Sequence, residues 1–591
     1  MGSDTPTEKD IQTSSSPPSH DQEAGEIASV GESDELHHLG YEQEMHRNRS
    51  VITLLFQSLA IAAIPYGEGS ALLSAIYGGG PLSIFVGWIV VCVLDQCVAM
   101  SLAELASRYP TSAGPYYWSF QIARSSKTTV SFINAWIWLI GNWTITLSVN
   151  FGFASMLSAT ISMYHPDWSA NSWQLLLIFY AVCLGSLVIC TFANKYLPQV
   201  DIACATWTAL TIIVILIAVS VKADTGRHSA SYALAHYDTS FAGWGNFTFF
   251  IGLLPAAYTF SAIGMVSSMA EEVAQPAIKV PRAISLAVPV GFIAGLFFII
   301  PLTVTLPPLE DIINSPGGQA LPYILHAVMG SPGGGLALVF LVLVITLFCS
   351  ISITVAASRA TWAAARDDAI PLAKLWARVH PRLGVPVWSL VLLTIIQMLL
   401  GLINLGSTSA FTAFVSVGVI ALAAAYAVPI ALSLYHGREE VSRAPWNCGK
   451  FVGVTVNVLA LAWIAFELVL FSMPMALPVT PVSMNYASVV FVGFMAISAV
   501  WYAVYARKRK FFPSVLQFPG EDLLLVWMLM RENRLQGSAR VRCVVGCVGS
   551  VFSYFVYALL GGYFGISRPN IMFHMMFPPP QGFIKGINLL P

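Results

Sequence analysis

The residues of this chain that could do chemistry sit where chemistry is costly to keep. An apolar run that begins near residue 51 contains Ala63-Ile64-Pro65-Tyr66-Gly67-Glu68-Gly69-Ser70, an acid set in hydrocarbon. A charge at the centre of a membrane helix costs about 2.5–3.5 kcal/mol on insertion scales, so Glu68 calls for a compensating cation: a solute's ammonium group or a coupling proton. Pro65 removes a backbone donor, and Gly67 and Gly69 permit non-helical dihedrals, so the helix is expected to break here. A later run, Gly252-Leu-Leu-Pro255-Ala-Ala-Tyr258-Thr259-Phe260-Ser261-Ala-Ile-Gly264, is interrupted in the same way. Paired interruptions at matching places in two five-span halves are the sequence mark of an inverted-repeat transporter, whose broken helices offer free backbone groups to solute and ions. The competing reading is that Gly and Pro serve packing or kinks, and Glu68 tips the balance toward a site.

Other polar residues in apolar runs are less specific. Trp136, Trp138, Asn142 and Asn150 share one run, and Ser350, Ser352, Thr354 and Ser358 another. Aromatic faces hold ammonium groups and spaced hydroxyls line ion paths, but interhelical packing explains them equally well. Asp95 and Glu467 are further acids in apolar runs, either proton carriers or packing partners. All eleven histidines fall outside the apolar cores, so no intramembrane metal site or histidine relay is expected, and no enzyme activity. No G-x-x-x-x-G-K-[ST] loop occurs, which argues against ATP-driven pumping. No cofactor and no nucleic-acid partner are expected. The coupling ion, proton or sodium, stays open.

The elements that must hold these residues follow from composition. Of 591 residues 56% are hydrophobic and 10% charged, with a mean hydropathy of +0.70. A bilayer core needs roughly twenty apolar residues per helix. Runs of that kind lie near 51–78, 82–106, 130–162, 173–193, 197–221, 246–273, 283–306, 335–358, 385–404, 409–435, 451–472 and 486–506. The expected fold is therefore an all-α polytopic membrane protein of about twelve spans. With the N-terminus cytoplasmic, eighteen Lys and Arg fall on the inner side between and after the spans, and only Lys222 and Arg227 outside. Residues 1–50 are polar and read as a disordered cytoplasmic tail, 51–506 as the membrane domain, and 507–591 as a C-terminal tail with a further hydrophobic segment at 543–566. Asp367 to Val379 reads either as a short amphipathic interfacial helix or as a plain basic loop.

Two stretches carry a family resemblance: Ser101-Leu-Ala-Glu104-Leu-Ala-Ser-Arg108-Tyr-Pro110-Thr-Ser-Ala-Gly114-Pro-Tyr116-Tyr117-Trp118, and Glu271-Glu272-Val-Ala-Gln-Pro276-Ala-Ile-Lys-Val-Pro281-Arg282-Ala283-Ile284. Over about residues 45–510 the chain resembles the fungal amino acid/choline (GABA-type) permeases of the amino acid–polyamine–organocation superfamily. The resemblance implies a leucine-transporter-like five-plus-five inverted repeat plus two helices. It also implies a secondary transporter importing an amino acid, GABA, choline or a polyamine by alternating access. Tyr66, Gly67, Glu68 and Gly69 would face the solute, as would Tyr258, Thr259, Phe260 and Ser261; Asn142 is a further candidate from its own apolar run and not from the resemblance. Glu104, Glu271, Glu272 and Arg282 belong to the inner motifs. By their own charges Glu271, Glu272, Lys279 and Arg282 at the end of the sixth span either close an inner gate or make a solvated loop face. The plasma membrane is the expected location, with a vacuolar or other organelle membrane left open. A nutrient receptor that binds solute and signals is the alternative on the same scaffold.

Overall fold

The computed structural model describes residues 36–406, 410–480 and 484–506, and every regular element in them is helical. The expected segment 543–566 and the rest of 507–591 lie outside the described residues, as do residues 1–35. Twelve helices are long and apolar enough to cross a bilayer. They are spans 1 (Val51–Ser70), 2 (Pro81–Arg108), 3 (Lys127–Tyr164), 4 (Ser172–Phe192), 5 (Asn194–Lys222) and 6 (Gly245–Glu272), then 7 (Pro276–Val304), 8 (Pro332–Arg366), 9 (Val387–Leu405), 10 (Ser416–Tyr435), 11 (Lys450–Leu470) and 12 (Ala487–Val504).

Burial sorts them into a centre and a rim. In its most apolar stretch span 6 is 83% buried and span 3 is 72%, whereas span 12 is only 22% buried. Span 12 turns Val489, Ile497 and Val500 outward, as a lipid-facing helix should. In lipid no hydrophobic force drives helices together, so close backbone approach matters more. Spans 3 and 10 achieve it through glycines: a Cβ on Gly141 would lie 2.7 Å from Leu422, and one on Gly418 would lie 2.9 Å from Ile145.

Span 1 is interrupted at Ala63, which sits in the left-handed region (φ 43°, ψ 52°) between the helices Val51–Ala62 and Ile64–Ser70. Pro65 opens the second piece, where its missing N–H costs nothing. The break is thus four residues ahead of Gly67, and Gly67 and Gly69 are helical. Their role is room: a Cβ on Gly67 would lie 2.6 Å from the Ala62 carbonyl oxygen and 2.7 Å from Thr259 Oγ1, and one on Gly69 would collide with Leu321. Span 6 bends at Gly252, runs as an α-helix over Leu254–Ser261, then tightens into a ten-residue 3₁₀ stretch, Ile263–Glu272. Such stretches rarely exceed three or four residues, and inside a longer helix they often mark a hinge.

One sequence expectation is corrected and one open alternative is decided. Residues 36–50 are not part of a solvated tail. Leu36, Tyr41, Met45 and Arg49 are buried, the backbone N–H groups of Asn48 and Arg49 both donate to the Glu272 carbonyl at 3.1 Å, and Tyr117 donates to the Leu39 carbonyl at 2.7 Å. Of the two readings of the stretch after Asp367, the loop is the one found, with no helix beyond the single turn Ala373–Trp376. Asp367 is buried, accepting hydrogen bonds from Tyr41 (2.9 Å) and Tyr116 (2.8 Å), and this pins the stretch to the bundle.

Candidate functional site

The two interrupted segments meet. Ile64–Ser70 packs on Leu254–Ser261, with Gly67 against Thr259. Span 3 closes the group: Tyr66 donates to the Val149 carbonyl at 3.2 Å, and the Tyr258 hydroxyl lies 3.0 Å from Ser148 Oγ. Thr259 and Ser261 turn their hydroxyls back to Pro255 and Tyr258 of their own helix, while the Phe260 ring lies tilted against Trp88 of span 2, centroids 5.4 Å apart. The sequence-nominated residues of both spans therefore form one cluster, buried apart from the half-exposed Ser261. Asn142 of span 3 is fully buried, bonded to its own helix at Trp138, and its Oδ1 has no partner.

Glu68 is the anomaly in this cluster. It is 1% exposed, and its Oε2 has no hydrogen-bond partner. No Lys or Arg pairs with it among the described residues. A buried carboxylate left so is strongly unfavourable unless a cation or proton joins it. By contrast Asn150 and Ser350 are satisfied between helices. Ser350 donates to Asn150 Oδ1 at 2.5 Å, Asn150 donates to Gln397 at 2.8 Å, and Ser186 lies 2.6 Å from Ser350, so these residues bind spans 3, 4, 8 and 9 together.

A second assembly seals the end of the bundle where span 1 begins. Arg49 reaches Asp201 of span 5 at 2.9 Å, Glu272 of span 6 at 3.1 Å and Gln57 at 3.0 Å. Arg359 of span 8 donates to the other oxygen of Glu272 at 2.8 Å and to Asn194 at 2.8 Å. Arg366 grips Glu271 with two bonds of 2.9 Å, and its guanidinium stacks 4.0 Å above the Tyr41 ring and 4.3 Å above Trp362. Three guanidinium groups thus face three carboxylates, all buried or nearly so. Glu104 is held apart from them, by Arg438 and the backbone N–H of Cys448 at 2.7 Å.

Glu271 and Glu272 are where the sequence put them, at the end of span 6, but Arg282 is not their partner. It is exposed, and Lys279 is half-exposed, because Gln275 takes a left-handed turn (φ 54°) and span 7 carries both onto an outer face. Sequence reasoning missed Arg49, Asp201, Arg359, Arg366 and Arg438 as partners. Asp201 was detectable as an acid in an apolar run, whereas Arg359 and Arg366 read only as orientation charges.

Comparison with known proteins gives consistent likenesses. The amino acid permease family profile matches residues 50–495. The chain is 31% identical to an amino-acid permease BAT1 homolog of Oryza sativa subsp. japonica, over 82% of this chain and 96% of that protein. It is 27% identical to a choline transporter of Saccharomyces cerevisiae, over 80% and 83%, and 30% identical to the polyamine transporter TPO5 of the same yeast, over 78% and 76%.

Proposed function

The chain belongs to the amino acid permease family, a family of membrane transporters and not of enzymes, and on that premise we propose that it carries a small solute bearing a cationic nitrogen. The observation that carries this reading is the unpaired, buried Glu68 at the junction of the two interrupted spans. Amino acids, choline and polyamines, the solutes in the relatives' names, share a positively charged nitrogen. Such a group would supply the charge that Glu68 lacks, and Tyr66 and Phe260 would flank it with aromatic faces.

The charged end is read as the cytoplasmic one, since the loops on that side hold most of the Lys and Arg. On this reading the network of Arg49, Glu272 and Arg359 is the inner gate, closed in this structure, and solute enters from the other side. Import by alternating access then requires the network to part while spans 1 and 6 move about their breaks.

Uptake of choline, 4-aminobutyrate, putrescine and a neutral amino acid in a transport-deficient cell tests the proposal. Glu68→Gln should weaken the amine solutes that the wild type takes up, with little change in pH dependence. A variant that keeps wild-type affinity for every solute would remove Glu68 from the site.

A further inference from the structure

Spans 2, 6, 10 and 11 enclose a second site, a cavity of about 20 Å³, space for about one water molecule. Asp95 of span 2 and Glu467 of span 11 open into it, beside Ser261 of span 6 and Tyr426 of span 10. Both acids are more than nine-tenths buried, and neither pairs with Lys or Arg among the described residues. Trp463 donates to Asp95 Oδ1 at 2.8 Å. Residues 463 and 467 lie one turn apart on one helix face, so the Asp95 carboxyl is drawn to the face that carries Glu467. Asp95 Oδ2 has no partner.

Two neighbouring carboxylates in so dry a place repel each other, and a single proton removes the repulsion while supplying an O–H···O bond between them. A metal cation would need a shell of oxygens. The hydroxyls here are already engaged: Ser261 donates to Tyr258, Tyr426 donates to the Ser261 carbonyl at 3.2 Å, and the Gly264 N–H donates to Tyr426 at 3.2 Å. Most of the remaining lining, Val98, Ile263 and Ile464 among it, is apolar.

We propose that Asp95 and Glu467 form a proton-binding pair, and that Tyr426 relays its occupancy to span 6. Tyr426 holds both sides of Ala262, the point where span 6 passes from α-helix to 3₁₀ turns. Phe260 and Ser261 line this cavity and also belong to the solute cluster, so a proton here and a solute there act on one segment. The other ionisable groups about the pair are Cys92 and Cys97 on span 2, Tyr426 on span 10 and, across Cys92, Glu68 on span 1. Span 6 lines the cavity with no ionisable residue. Span 7, which Gln96 meets at the Ser285 carbonyl, has Arg282 nearest, and that side chain is exposed. The coupling role rests on the transporter reading above, whereas the shared proton does not.

The test uses the full-length chain in liposomes loaded with a pH-sensitive dye, with the panel of four solutes. Solute added to the wild type should drive protons inward. Asp95→Asn and Glu467→Gln should each lose that proton entry while solute counterflow persists, and Glu467→Asp should restore it. Undiminished proton entry in both neutral variants overturns the proposal, as does coupling to a sodium gradient instead of a proton gradient. Infrared difference spectra between acid and alkaline pH give a readout independent of transport. The protonated-carboxyl band of the wild type should lose the pair's contribution in the Asp95→Asn/Glu467→Gln double variant, while the contribution of Glu68, removed separately by Glu68→Gln, remains. An unchanged band in the double variant refutes the shared proton. Loss of the pair's contribution in a protein that moves no solute upholds the pair and counts against the transporter reading alone.

Discussion

Glu68 and Glu272 are both buried carboxylates on interrupted spans, yet their surroundings differ in kind. Glu272 receives two guanidinium groups, and Glu68 has one oxygen with no partner. Removing one member of a buried ion pair strands the others, at a cost of about 3–5 kcal/mol. Glu272→Gln is therefore expected to lower the thermal melting point of the detergent-purified protein sharply, because Arg49 and Arg359 would be left with Asp201 as their sole carboxylate. Arg282→Ala, on an exposed side chain, should stay within about 0.5 kcal/mol of the wild type in the same melt. The sequence could show that acids stand at the end of span 6, since acids beside an apolar run are conspicuous. It could not show their partners: Arg49 lies 223 residues from Glu272 and Arg359 lies 87, and only the fold brings them together.

The breaks in spans 1 and 6 were legible as elements, because Pro and Gly in an apolar helix are visible without a structure. Their positions were less so. Backbone strain falls on Ala63, a residue with no helix-breaking character of its own, whereas Gly67 lets spans 1 and 6 touch and Gly69 leaves room for Leu321. Gly67→Ala follows from this contact. The added methyl meets the Ala62 carbonyl oxygen of span 1 itself at 2.6 Å and Thr259 Oγ1 of span 6 at 2.7 Å, so the break in span 1 and its packing on span 6 must both shift. Overpacking of this sort costs about 1–3 kcal/mol, so a lower melting point together with reduced uptake is the expected result. A melt and an uptake rate equal to the wild type's would show that the contact gives way without cost. The stretch after Asp367 is left open by its sequence, whose apolar spacing suits a helix as well as a loop; it is a loop with the single helical turn Ala373–Trp376, and Asp367 at its start accepts two phenol hydrogen bonds.

At the scale of the whole molecule, all twelve spans were readable from apolar run length, since the bilayer sets a minimum that few other helices reach. Orientation rests on the distribution of Lys and Arg, and labelling can check it. A cysteine at position 374, an exposed site at the charged end, should react with an impermeant thiol reagent only after the membrane is opened. Reaction in intact cells would invert the proposed topology. The sealed end itself has a kinetic consequence. Arg49, Arg359 and Arg366 join residues from before span 1 to spans 5, 6 and 8, and residues 36–50 lie across Glu272, so no single contact can be released alone. If this network is the inner gate proposed above, opening is one concerted event with a high enthalpic barrier, and turnover should climb steeply with temperature. Because these charges are shielded from bulk counterions, raising the salt concentration should barely change that turnover, whereas a gate of exposed pairs would weaken within a Debye length of about 8 Å at physiological ionic strength. Solute flux measured across a range of salt and temperature separates the two, and a strong salt dependence would place the slow step elsewhere.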